Sequence, residues 1–402
     1  MQQYHERKWF PERYPDPFGE FIDFINEEFI QNAEPFIARY VADILPARLH
    51  PDLRAAYQRA FEKTFTSHRI HPEFVFYYFR TLVESDAGAL WDEFQQWLKN
   101  ERTPLQDWLE VELKMERKLN IALQNATPAE IEAGLLSTAG HLQLPLRNLR
   151  DVLRHFRFEH WDNLADWNDF TALAKTVAEN CHIKKMPTLQ RASEEAVQLL
   201  FPISPPERVL LQFGRAAGGF DSARFIFELG KGFFYSGMSS NLPFEKRICG
   251  DPSLPFFWGS LFSLLLADRT ASKTIVSLAA EPIAKDMSSA FEFWSRYDAV
   301  LALYRMKVDD ALKTAQDLYV SLFEMAFPFR ASHSLHLFDL SRSREAFYRF
   351  VAYTNAVAAT ERLRELYGTR WFANERWARR MSDYWQEGFG ITLQEVLHDL
   401  GV

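Results

Sequence analysis

Residues 207–234 read ERVLLQFGRAAGGFDSARFIFELGKGFF, and the hydrophobic period changes midway through them. The first seven residues are β-rich and closed by GRAAGG, the pattern of a strand running into a turn. From Asp221, the expected N-cap, apolar residues recur at three- and four-residue spacing, as on an amphipathic helix. Inside that helix lies FELGKGFF, residues 227–234. Positions i and i+4 share a helix face, so histidines at 227 and 231 would make two metal ligands there. The chain has Phe227 and Lys231 instead, and of the three groups such a helix needs only Glu228 remains.

Elsewhere helical spacing dominates. FGEFIDFINEEFIQNAEPFIARYVADIL (18–45) sets Phe and Ile three and four apart, with Pro35 expected to kink the helix. Helices are also expected at 52–66, 73–98, 104–124, 145–158, 163–180, 188–200, 221–236, 253–268, 285–302, 304–326, 342–366, 374–387 and 392–400. Thr127 with Glu130, and Thr392 with Glu395, read as capping boxes.

Aromatic residues make up 15% of the 402, with 36 Phe and 11 Trp, which is bulk for a core and for the walls of an apolar cleft. A formal charge of −8 argues against a nucleic-acid partner, which needs clustered Lys and Arg. Cys181 and Cys249 make neither a disulfide framework nor a four-thiolate zinc site, and they suit a reducing compartment. No apolar run approaches the length of a membrane span, and MQQYHERKWFPERYPDPF at the N-terminus lacks the apolar centre of a signal peptide. A cytoplasmic protein with no membrane partner is expected.

The order of motifs carries more than any one of them. ERVLLQF, GRAAGG and FELGK are followed by Leu242-Pro243-Phe244-Glu245, then Gly250-Asp251-Pro252-Ser253 and a hydrophobic helix. This order resembles the core of the thimet oligopeptidase/oligoendopeptidase superfamily of zinc metallopeptidases, whose gluzincin core reads roughly HExGHAxHF, LPFE and GDxSVTE. The tail FYRFVAYTNAVAATERLRELYGTRWFANERWARRMSDYWQEG (347–388) resembles the closing helices of those enzymes, so the likeness covers about residues 200–402. It implies a mostly α fold, two helical lobes around a cleft, with a small β element before the active-site helix. Residues 1–200 would form the N-terminal lobe and 201–402 the degenerate core.

Carried over position by position, the superfamily's first histidine falls on Phe227, its catalytic glutamate on Glu228 and its second histidine on Lys231. The third ligand, a glutamate, falls on Phe256. A catalytic zinc needs three protein ligands. Phenylalanine has no lone pair to give, and an ammonium group repels a dication. The expectation is a degenerate member with no metal and no cofactor. Glu228 would be a vestigial general base with no metal-bound water to act on.

The expected function is therefore that of a pseudopeptidase. It would bind a peptide or protein partner, or regulate or scaffold an active partner such as an active paralogue. The 207–213 strand offers edge pairing through Val209, Leu211 and Phe213. Tyr235, Tyr348 and Tyr353 are candidates for the cleft wall, the last two because they fall near the superfamily's substrate-contacting tyrosines. The alternative is a metal-independent enzyme that has rebuilt the cleft around Glu228, Lys231 and these tyrosines. Glu228 and Lys231, three apart, are also placed for a plain ion pair. Weaker candidates are His333 with His336, His155 with His160, and a reactive thiol at Cys181 beside His182, Lys184 and Lys185. No G-x-S-x-G elbow is present.

Overall fold

The computed structural model describes residues 46, 49–63, 65, 84–118, 127–138, 170–191, 199–214, 219–276, 280–329 and 331–402. The expected helices at 18–45 and 145–158, and the His155 and His160 pair, lie outside the described residues. Within them the fold is mostly helical with one small sheet.

The first half supplies α1 (Pro51–Glu62), α2 (Glu84–Asn100), α3 (Arg102–Lys118), α4 (Pro128–Thr138) and α5 (Phe170–Asn180). Proline at the start of α1 and of α4 has no helical N–H to forgo there. Thr127 and Glu130 cap α4 reciprocally: Glu130 N–H donates to Thr127 Oγ1 at 3.3 Å, and Thr127 N–H to Glu130 Oε2 at 2.6 Å.

Residues 188–200, expected as a helix, instead hold two strands. β1 (Thr188–Arg191), β2 (Leu199–Ser204) and β3 (Arg208–Phe213) form a sheet in the order β1-β3-β2, β1 parallel and β2 antiparallel to β3. β2 straddles position 200, where the sequence reading sets its lobe boundary. Strand β3 is as read, but it lies at the centre of the sheet, and both of its edges are already paired. Edge pairing of a ligand along β3 is therefore closed. Pro202 falls at the register irregularity of β2, one of the places where a strand tolerates proline.

Beyond the sheet come α6 (Gly219–Gly237), the short α7 (Phe244–Ile248), α8 (Ser253–Ser263), α9 (Arg269–Val276) and α10 (Ala280–Lys307). They are followed by α11 (Ala315–Ala326), α12 (His336–Tyr367), α13 (Glu375–Glu387) and α14 (Leu393–Leu400). Helix α6 begins at Gly219, so Asp221 sits inside its first turn and not at the N-cap. The expected helix at 304–326 is two helices. Between them Leu312 adopts φ of 52°, and the Asp309 carboxylate accepts backbone N–H bonds from Ala311, Lys313 and Thr314.

The core is one continuous cluster in which α6, α8, α10 and α12 pack against one another. Ten of the eleven residues of α8 are buried, and Phe256 is the exception. Each large apolar side chain so buried contributes about 1.5–3 kcal/mol. The α6–α8 crossing is close because both helices carry glycine at the contact. A Cβ on Gly230 would meet the Trp258 carbonyl oxygen at 2.7 Å, and one on Gly259 the Phe227 carbonyl oxygen at 2.8 Å. Asp251 ties the start of α8 to the C-terminus, accepting from Ser253 N–H at 2.9 Å and Leu393 N–H at 3.1 Å. The GDPS motif is thus a tether. Among the described residues no helix is long and apolar enough to cross a membrane.

Candidate functional site

The close α6–α8 crossing brings Phe227, Glu228, Lys231 and Phe256 together. Phe227 and Glu228 are neighbours on α6, and Lys231 lies one turn on. Phe256 is the half-buried residue of α8. The Phe227 and Phe256 ring centroids are 6.1 Å apart. Lys231 Nζ lies 5.4 Å from the first centroid and 4.9 Å from the second. It also donates to Glu228 Oε2 at 2.9 Å. An ammonium group within about 6 Å of a ring face is attracted by its quadrupole, by about 0.5–2 kcal/mol according to exposure. The four side chains form a cage around one positive charge, and they are the four positions that the motif resemblance singled out in the sequence.

The zinc implied by that resemblance does not fit these residues. Of the three positions that the resemblance would make ligands, two are hydrocarbon and the third is a cation held by the glutamate and both rings. Among the described residues no group of three or more His, Cys, Asp or Glu is placed to hold a metal ion. His333 and His336 do not form half of such a site: His333 opens a 3-10 turn, and His336 is buried with Nδ1 at 2.7 Å from the His333 carbonyl oxygen. Burial depresses the His336 pKa.

The cage forms part of the floor of a cavity of about 740 Å³, which Phe227 and Glu228 line. Lys231 itself does not reach the lining. Across from it, α1 presents Arg54, Tyr57, Gln58, Phe61 and Glu62, and α10 and α12 supply most of the remaining wall. Eight aromatic side chains line the cavity, Trp294, Phe338 and Tyr353 among them. The charged part of the wall is ordered by Arg349, which donates to Asp298 at 2.9 and 2.6 Å and to Glu345 at 2.9 Å. Burial works against the Arg349 charge, but the two carboxylates outweigh it and raise its pKa. Tyr297 of the wall and Tyr319 behind it both donate to the buried Asp339 carboxylate, at 2.7 and 2.5 Å.

The other expected site residues divide. Tyr353 lines the cavity, its phenol pKa raised by burial and then by Glu292. Tyr235 and Tyr348 do not. Tyr235 packs on Phe234 and Phe389, where burial and then the charge of Glu228 push its pKa up. Tyr348 is buried against Phe347. Val209, Leu211 and Phe213 are buried on the core side of the sheet, Phe213 edge-on to Phe170 and Phe225 at 5.6 Å each, so they are core residues and not ligand contacts. Cys181 is no reactive thiol: it is buried, and burial pushes it up to about 12. The residues of α1 and the Arg349 cluster were missed by sequence reasoning. They come from three distant helices, and no spacing rule joins them.

No protein-family model matches the sequence, and no curated protein does. Solved structures do match. The fold is similar to that of a protein assigned as an oligoendopeptidase F from Bacillus anthracis str. Ames, with a TM-score of 0.57 at 10% identity over all of this chain and 81% of that one. It is also similar to PZ peptidase A solved with an inhibitor, with a TM-score of 0.60 at 9% identity over all of this chain and 82% of that one. The architecture around the cage and cavity is a peptidase-like fold.

Proposed function

We propose that the chain is a metallopeptidase homologue that has given up zinc hydrolysis and uses its cavity, in the cytoplasm, to bind a peptide or an extended segment of a protein partner. The observation that carries this reading is the placement of the Lys231 ammonium. Standing at one of the three expected ligand positions, it is held 2.9 Å from Glu228 and over the rings at the other two. Nothing in such a cage lowers the pKa of a water or polarises a scissile carbonyl as a metal would. Glu228, the inherited base, is engaged by Lys231. Its neighbours have filled the metal position without filling the cavity, whose volume of about 740 Å³ is that of a ligand site. Lys231 lies outside the lining, which favours binding over a rebuilt metal-free reaction. An active paralogue offering a segment to the cavity is one form the partner takes.

The test uses a mixture of free peptides incubated with the purified chain, with and without added zinc, and followed by mass spectrometry. The expected result is no cleavage in either condition, with saturable changes in tryptophan fluorescence from Trp294 in the cavity wall. Zinc-dependent cleavage would overturn the proposal.

A further inference from the structure

The face that α1 turns to the cavity has a polarity of its own. Arg54, Tyr57, Gln58, Phe61 and Glu62 stand at i, i+3, i+4, i+7 and i+8, and all five line the cavity. The face is cationic at one end, anionic at the other and aromatic between. Arg54 and Glu62 are eight positions apart, about 12 Å along a helix rising 1.5 Å per residue.

Both end charges are available. Among the described residues neither Arg54 nor Glu62 makes an ion pair, whereas the other cavity carboxylates Glu228, Asp298 and Glu345 are all paired. Arg54 is half-buried, with its guanidinium 5.0 Å from the Trp108 ring and 5.4 Å from Tyr57. Two rings steady that guanidinium while leaving its N–H donors without a carboxylate among the described residues, the arrangement that suits bidentate capture of one from a ligand.

The order of the charges is also unfavourable to the helix. A helix prefers acids near its N-terminus and bases near its C-terminus. α1 follows that preference with the residues that do not line the cavity, Asp52 in the first turn and Arg59 in the last. On the cavity side it reverses it, with Arg54 near the start and Glu62 as the final residue. Helix stability therefore does not account for this pair.

We infer that α1 is a ruler for a short zwitterionic peptide, with Arg54 taking the C-terminal carboxylate, Glu62 taking the N-terminal ammonium, and Tyr57 and Phe61 packing on apolar side chains between. This rests on the peptide-binding reading above and narrows it to a size. An extended chain advances about 3.3 Å per residue, so the spacing of about 12 Å fits three to four residues. Internal segments of a protein, which carry neither terminus, would be poor ligands.

The experiment is calorimetric titration of the full chain with a tetrapeptide of phenylalanine and alanine in four forms: free-ended, C-amidated, N-acetylated and blocked at both ends. Amidation is expected to weaken binding about tenfold or more, the factor carried by one charge-assisted contact. Acetylation should do the same. In Arg54→Gln the free and amidated forms should bind alike, and in Glu62→Gln the free and acetylated forms should. A free-ended octapeptide should bind more weakly than the tetrapeptide. If the doubly blocked peptide binds the parent chain as tightly as the free one, the ruler is wrong while peptide binding stands. If no form binds, the peptide-binding reading falls as well.

Discussion

At the scale of single residues, the account turns on Lys231. Its ammonium and the Glu228 carboxylate are each largely buried, with side-chain exposures of 16% and 12%. Removing one member of such a pair leaves the other charge desolvated and uncompensated, which costs about 3–5 kcal/mol when burial is complete. Lys231→Met is expected to lose about 2–3 kcal/mol of stability in chemical denaturation, since both groups retain some solvent. Adding Glu228→Gln should return most of that loss. A Lys231→Met variant as stable as the parent would show that the cage is not held by charge. Motif order singled out positions 227, 231 and 256 in the sequence. Their convergence around the ammonium was not legible there, since it depends on how closely two helices cross. Arg54, Glu62 and Arg349 left no local signal at all. A lone arginine on an amphipathic helix looks the same in sequence whether it faces bulk water or a cavity.

At the scale of elements, the α6–α8 crossing places the cage, and Gly230 sets the crossing distance. A methyl at 230 would lie 2.7 Å from the Trp258 carbonyl oxygen and 3.0 Å from Phe262 Cβ, so the helices must part. Gly230→Ala is expected to lower stability by about 1–3 kcal/mol as an overpacked contact, although alanine is the better helix former. An unchanged or raised melting temperature would contradict the close crossing. Helices with self-contained signals were read well. α6 and α8 follow from apolar spacing, and α14 from its capping box, in which Thr392 and Glu395 bond reciprocally. The strands that begin at 188 and 199 were misread because TLQR and LLFPIS are short; β3 follows β2 after three residues and meets β1 from some twenty residues further on. Pairing of both strands with β3 overrode a local pattern that a helix also fits. The break after α10 had a visible cue in Asp309, whose carboxylate gathers three backbone N–H groups and competes with the helix.

Across the whole molecule, the two halves are joined behind the cavity by charges as well as by apolar packing. Arg305 of α10 and Arg344 of α12 both reach Glu112 and Glu116 of α3. Burial alone would raise the Glu116 pKa, but the two guanidinium groups outweigh it and lower it from 4.5 to about 2. A carboxyl group with a depressed folded-state pKa contributes stability above its unfolded value and loses it as pH falls through the folded one. The contribution should be intact above about pH 5 and fade between about pH 4.5 and 2. A shift of this size corresponds to about 3 kcal/mol at neutral pH. Glu116→Gln should therefore be less stable than the parent by about that amount at pH 7, with the gap closing on acidification. A gap of the same size at pH 3 would show that the network does not join the halves through charge.

The central claim is that a lysine ammonium has taken the place of the metal on a peptidase-like fold. The zinc content of the purified chain, measured by elemental analysis without chelators, tests it most directly. The account predicts no stoichiometric zinc, because positions 227, 231 and 256 hold two phenylalanines and a cation. One tightly held zinc per chain would contradict it.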